Sequence, residues 1–490
     1  MIFQLVILPN TRPASLANAF GSVSPEVTTL NLDRNALGLQ SGAALAEAFP
    51  RLPAGIKTLN LSKNDLYQLT GAELAGAFRG IPVGAKTLIL NKNDLYQLTG
   101  AELAEAFRGL SDSGVTTLDL SYNSLYEQTA PELAEGFRGL PVGVTTLNLG
   151  GNGLCRKTGT ELAEALRGLP AHITTLNLRS NELCLKTGTE LAEVFRALVG
   201  VRNLNLGGNR LSLKTEADLE LAFNSLPSGL KTLNLSGNSL YEKTGVQLAR
   251  VFNSLPAGVT TLNLNGNGLY RKTGDQLAQA FAGVPAHVHE MTLSIEDIID
   301  RTPEELSAMA EALPYLMTLR VVGDTNPSHP SVTALRNQIG GGFITAVEES
   351  ERQGLPRAVA LLPLEALTGA SSPQIQDFFD RRARGLAAEQ ELAAQELALQ
   401  EQAIINVQES YAFQFKCLSL LGAVSAIALV IGIVALCLAA PATLGMSLAA
   451  VGAAGLLRTG YGFFTQTASA ASQASAGLDD EDDMVDGAII

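Results

Sequence analysis

The sequence predicts an α/β solenoid with one strand and one helix per repeat, followed by a helical stalk and a transmembrane helix or hairpin. Three observations carry this. An eleven-residue segment recurs at intervals of 28 to 30 residues through the first two thirds of the chain. A helix start recurs at a fixed place after each copy. Far downstream, residues 417–457 run for 41 positions without a charge.

The recurring segment reads TTLNLDRNALG from Thr28, KTLNLSKNDLY from Lys57, TTLDLSYNSLY from Thr116 and TTLNLNGNGLY from Thr260, among nine copies. Its asparagines are Asn35, Asn64, Asn93, Asn123, Asn152, Asn181, Asn209, Asn238 and Asn267. Self-similarity at such a period marks a stacked-repeat architecture. Leu-x-Leu, as in Leu118 and Leu120, puts two apolar groups on one face of a short strand, so the residue between them faces the other way. The repeated asparagine is expected to satisfy the backbone of the neighbouring coil, because buried backbone groups need partners.

The helix start is a capping box, Thr99 to Glu102, in which each side chain satisfies the other's backbone N–H. Thr70/Glu73, Thr129/Glu132, Thr158/Glu161 and Thr187/Glu190 repeat it, and Thr244/Gln247 and Thr273/Gln276 use glutamine. Leu103, Ala104, Phe107 and Leu110 then form one apolar helical stripe, and signals such as Pro256-Ala-Gly258 end the helix. Neither element can bury its apolar face alone, so the units must stack.

The pattern LxxLxLxxNxL resembles the leucine-rich repeat, and the long period is similar to the ribonuclease-inhibitor type. The resemblance implies an α/β leucine-rich-repeat solenoid, a horseshoe. It covers residues 1–324: an N-terminal cap over 1–27, where Met1–Leu8 reads as a strand rather than a signal peptide, and repeats over 28–324. Beyond nine strict copies the register decays. Met291 and Leu293 hold leucine positions while Glu296 stands where asparagine is expected, and Leu319 and Val321 fit one further strand.

Repeat proteins commonly bind through the concave face. The rows expected there are threonines such as Thr146 and Thr175, then Asn148, Asn177, Asn205 and Asn234, then a row of small residues interrupted by Arg179. Such a face suits many neutral hydrogen bonds; the alternative is that these are soluble strand residues copied with the repeat. A second candidate is an edge where Tyr67, Tyr96, Tyr126, Tyr241 and Tyr270 lie beside Lys157, Lys186, Lys214, Lys243 and Lys272. Tyrosine is enriched at interfaces. The alternative is that Tyr packs over its own coil and Lys keeps the row soluble. Tyr241, Lys243, Tyr270 and Lys272 are the partner-binding candidates on this edge.

No enzyme chemistry is legible and no cofactor is expected. Cys155 and Cys184 are one repeat apart and read as copied sequence. His287, His289 and Glu290 form a short string in a loop register shared with His172, which points to structure rather than a metal. Gly340–Gly342 lacks the Lys-Ser/Thr of a phosphate-binding loop. No cysteine lies between Cys184 and Cys417, which excludes the mechanism of the bacterial leucine-rich-repeat ubiquitin ligases, whose resemblance would require one.

The chain carries 34 basic and 48 acidic groups, net −14, with mean hydropathy +0.17. The acidity argues against nucleic acid as a partner. It is local: residues 386–416 and 479–490 hold −10 of it. Residues 325–385 read as a helical connector, 386–416 as a stalk or coiled-coil-like helix, and 465–490 as a disordered acidic tail. Cys417–Ala440 is 24 residues without a charge, enough to span a bilayer. With Leu444–Phe464 it makes 417–464 a hairpin, or else a single span.

This architecture resembles leucine-rich-repeat effectors of Legionella-type intracellular bacteria, delivered by a type IV secretion system that reads a C-terminal signal. The resemblance implies a non-enzymatic, membrane-anchored scaffold, secreted into a host cell, anchored in a host membrane and engaging a host protein. The alternative is a resident scaffold or sensor of the bacterial inner membrane.

Overall fold

The computed structural model describes residues 2–7, 12–323, 329–352 and 357–387, with 390, 391 and 395 further on. Among the described residues twelve strands form one parallel sheet in chain order, from Ile2–Gln4 to Thr318–Val322. The register is that of the repeat itself: Leu59 pairs with Leu88, Leu88 with Leu118, and Leu118 with Leu147. Each coil is a three-residue strand, a short 3-10 turn and a helix of about two turns, as in Thr117–Asp119, Leu125–Glu127 and Ala130–Arg138.

The helices begin where the threonines place them. Thr99 Oγ1 accepts from Glu102 N at 3.2 Å, and the Glu102 carboxylate accepts from Thr99 N at 2.9 Å. The capping carboxylates also reach across coils: Glu190 Oε1 accepts from Gly159 N at 2.9 Å, and Glu305 Oε1 from Gly274 N at 2.7 Å. One carboxylate thereby satisfies orphan donors of two successive helices.

Between sheet and helices runs one continuous apolar core. Its largest members are a file of phenylalanines at one register, Phe49, Phe78, Phe107, Phe137, Phe195, Phe223, Phe252 and Phe281, with Leu166 taking the place in one coil. Each such side chain contributes roughly 1.5–3 kcal/mol on burial.

The asparagine ladder forms as expected. From Asn35 to Asn267 each ladder asparagine is buried; Asn35 Oδ1 accepts from Ile7 N, and from Asn64 onward each Oδ1 accepts the backbone N–H of the asparagine one coil back. Asn152 N donates to Asn181 Oδ1 at 2.9 Å, and Asn181 Nδ2 donates to Leu149 O and Leu178 O at 3.0 Å. The flanking residues take positive φ. Lys63 and Asp65 do so at +54°, whereas glycine supplies both positions at Gly151 and Gly153.

One detail of the register is corrected. Glu296, read as the replacement for the next asparagine, is exposed. Asp297 is fully buried instead and ends the ladder, accepting from Tyr270 N at 2.8 Å and Ser294 N at 3.0 Å. The longer strand Glu290–Ser294 shifts the turn by one residue. Past Val322 the helices Pro330–Gln338, Gly341–Arg352 and Arg357–Thr368 close this end around a second, small core that includes Phe343, Leu364 and Phe378.

The transmembrane part of the expected fold class is corrected. Among the described residues no helix is long and apolar enough to cross a membrane, which takes about 20 consecutive apolar residues. The last described helical stretch, residues 372–387, carries Asp377, Asp380, Arg381, Arg382 and Arg384. Residues 417–464, the stalk beyond Ala387 (residues 390, 391 and 395 apart) and the acidic tail lie outside the described residues. The fold class is accordingly an open parallel-sheet solenoid. The membrane anchor, the membrane as a partner, and the host-membrane or inner-membrane localisation are not carried forward.

Candidate functional site

The concave candidates are neighbours. Asn148 pairs in register with Asn177, Asn177 with Asn205, and Asn205 with Asn234. All four are half-buried, because the flanking leucines face the core and turn the middle residue outward. Each fixes its own amide. Asn148 Oδ1 accepts Gly150 N at 3.0 Å, Asn177 Oδ1 accepts Arg179 N at 2.9 Å, and Asn205 and Asn234 repeat the contact at 2.8 Å. The bond uses the acceptor and leaves the Nδ2 donors of these four facing the concave side. Arg179 is exposed between the buried Gly150 and Gly207, so its guanidinium stands alone above a flat strip.

The lysine row is corrected. Lys157, Lys186 and Lys272 are only 6%, 4% and 6% exposed, and the row forms a second ladder inside the coil. Lys186 Nζ donates to Cys155 O at 2.6 Å and also to Lys157 O. Lys214 Nζ donates to Lys186 O at 2.6 Å, and Lys243 Nζ to Lys214 O. Lys272 Nζ donates to Tyr241 O at 3.0 Å and to Lys243 O. Arg301 closes the series on the carbonyl of Lys272. Burial pushes the Lys157 and Lys272 ammonium groups below the ordinary lysine range, and the donated bonds satisfy carbonyls that would otherwise be orphaned.

A signal for this was present in the sequence. The same register is filled by Leu69 and Leu98, then by Gln128, and a position that accepts leucine in some copies points inward.

The tyrosines divide. The Arg156 guanidinium lies 4.1 Å from the Tyr126 ring centre, and the Arg271 guanidinium 4.3 Å from that of Tyr241. Both rings lie across a glycine of the next coil, Gly153 and Gly268, where a Cβ would meet the ring at 2.8 and 2.9 Å. Tyr270 is 50% exposed. Tyr241, Tyr270, Arg271, Ser294 and Glu296 line an open recess of about 270 Å³. It sits where the regular register ends, a place the repeat pattern alone did not single out.

Reactive chemistry is muted. Burial raises the Cys155 and Cys184 thiols, which disfavours the nucleophilic thiolate. Burial lowers His287 and His289. Among the described residues no group of three or more His, Cys, Asp or Glu is placed to hold a metal ion.

No protein-family profile matches the chain, and no curated protein does. Solved structures do. The leucine-rich repeat-containing protein LegL7 from Legionella pneumophila is similar at TM-score 0.56 and 28% identity, over 70% of this chain and 98% of that one. A yeast complex of Rad7 and Elc1 is similar at TM-score 0.36 and 14% identity, over 67% of this chain and 79% of the matched one, too distant to carry a conclusion. The repeat, its two ladders and the likeness to LegL7 agree: the chain belongs to the leucine-rich-repeat proteins.

Proposed function

We propose that the chain is a non-enzymatic scaffold whose concave sheet face binds a protein partner. The observation that carries the reading is the in-register row Asn148, Asn177, Asn205 and Asn234 with its amides already fixed. Strands of one sheet lie about 4.8 Å apart, so the row offers regularly spaced neutral donors. Donors held before binding lose little conformational freedom on it, which favours affinity. Arg179 adds one charge-assisted contact in the middle of the row. The likeness to a Legionella pneumophila protein supports the effector reading, in which the partner belongs to a host cell.

The test is affinity capture from host-cell extract with the wild-type chain and with the double variant Asn177→Lys/Asn205→Lys. The expected result is a partner held by the wild type and lost by the variant, with the variant still folded at the temperature of the capture. An identical captured set from both would overturn the reading.

A further inference from the structure

The recess at the end of the regular repeats differs chemically from the rest of the solenoid. Two tyrosines form its walls and one cation is already seated there. The Arg271 guanidinium lies 4.3 Å from the Tyr241 ring centre and 5.6 Å from that of Tyr270, and Arg271 Nε donates to Tyr270 Oη at 3.3 Å. The pair is therefore a surface that accepts a planar cation on its π faces. At Tyr126, the equivalent position four coils before Tyr241 that also carries a stacked arginine, the register place of Glu296 is held by the buried ladder residue Asn181.

That acid exists because the register slips. Asp297, not Glu296, ends the asparagine ladder, so Glu296 is released to the rim with no ion-pair partner among the described residues. On the turns around the recess, residues 239–243, 266–272 and 294–300, the exposed charges are Glu242, Glu296 and Asp300 against Arg271 alone. The cations beside them, Lys243 and Lys272, point inward to backbone carbonyls. The ladder thus removes positive charge from this surface and leaves it net acidic.

We infer that the recess takes an arginine side chain from a basic segment of the protein partner, its guanidinium lying over the Tyr270 ring and pairing with the Glu296 carboxylate. This rests on the reading that the solenoid binds a protein, and it names the chemistry of one contact. A planar guanidinium meets both requirements at once, since it stacks on an aromatic face and binds carboxylate in a fork.

The test uses the full chain and a short fluorescent peptide of alternating Arg and Gly, with a Glu-for-Arg peptide as control, at physiological salt. The Arg peptide binds and the Glu peptide does not. Glu296→Gln and Tyr270→Ala each weaken binding by about five-fold or more, while Glu105→Gln on the convex side leaves it unchanged. Absence of binding by the wild type overturns the inference. So does wild-type affinity in both recess variants, or equal weakening by Glu105→Gln, which would mean diffuse charge attraction. The readout is separate from partner capture. If Asn177→Lys/Asn205→Lys abolishes capture while the recess variants bind peptide normally, the recess alone is refuted. If peptide binding follows Glu296 while capture ignores the concave row, the concave reading alone is refuted.

Discussion

The ammonium of Lys272 lies 3.0 Å from the backbone carbonyl of Tyr241, one coil back, and also donates to the carbonyl of Lys243. Repeated from Lys157 to Arg301, this contact runs beside the asparagine ladder and ties each of these coils to the one before it. A cation at this position serves the stack rather than a partner.

Removing one rung therefore acts on stability. Lys186→Met keeps the aliphatic stem but leaves the carbonyls of Cys155 and Lys157 without their donor, at a cost of about 1–3 kcal/mol. The exposed Lys231→Met stays within about 0.5 kcal/mol of wild type. Chemical denaturation of both variants checks this, and equal stabilities would contradict an internal ladder.

The asparagine ladder is worth more per rung. Asn181→Ala removes the acceptor for Asn152 N and Leu154 N and the donors to Leu149 O and Leu178 O, so a loss of about 3 kcal/mol or more is expected. Asn177→Ala, four residues earlier on the concave face, loses one local bond, about 1 kcal/mol. A thermal melt of each separates the roles; similar losses would mean that the two rows are not functionally distinct.

Acid should loosen the helix starts. The backbone N–H of Thr187 holds the Glu190 carboxyl below its ordinary value of 4.5, and that of Thr302 does the same for Glu305. Carboxylates depressed in the folded state stabilise it above their unfolded pKa, and the contribution is lost as pH falls through the folded value. Asp297 has the opposite sign. Burial raises it, so its charge costs stability at neutral pH and protonation relieves that cost. Glu73→Gln/Glu190→Gln/Glu305→Gln should lose less melting temperature between pH 7 and pH 3 than wild type. Gln247 and Gln276 already cap their helices this way. An unchanged difference would remove the capping carboxylates from the acid response.

Backbone strain gives a prediction of the other sign. Ser239 holds φ at +58°, a region that disfavours side chains by about 1–2 kcal/mol, so Ser239→Gly should stabilise by up to about 1 kcal/mol. Gly153→Ala combines φ at +65° with a Cβ at 2.8 Å from the Tyr126 ring and should destabilise. A stabilised alanine variant would contradict this packing.

The solenoid was legible because each of its parts is local. Leu118 and Leu120 fix a strand face, Thr99 and Glu102 fix a helix start, and the asparagines announce a ladder by their spacing. The lysines misled because a long side chain does not reveal its direction. Lys186 before a capping threonine looks solvated until the leucines of the same register, Leu69 and Leu98, are set beside it. Glu296 misled for a related reason: counting residues cannot detect a strand that has grown, and one added residue moved the buried role to Asp297. The 41-residue uncharged run beginning at Cys417 satisfied the hydropathy rule for a span; it lies outside the described residues, among which no helix is long and apolar enough to cross a membrane. The concave candidates differ again. The pattern placed Asn148, Asn177, Asn205 and Asn234 in one row, but the bonds that fix their amides depend on where the strand turns.

The most direct test of the central claim places a photo-crosslinking residue at position 177 or 205 on the concave face, and at the exposed convex position 105 as reference, in the full chain exposed to host-cell extract. The account requires a discrete protein adduct from 177 and 205 and none from 105. An adduct that forms from 105 while 177 and 205 stay silent would contradict it.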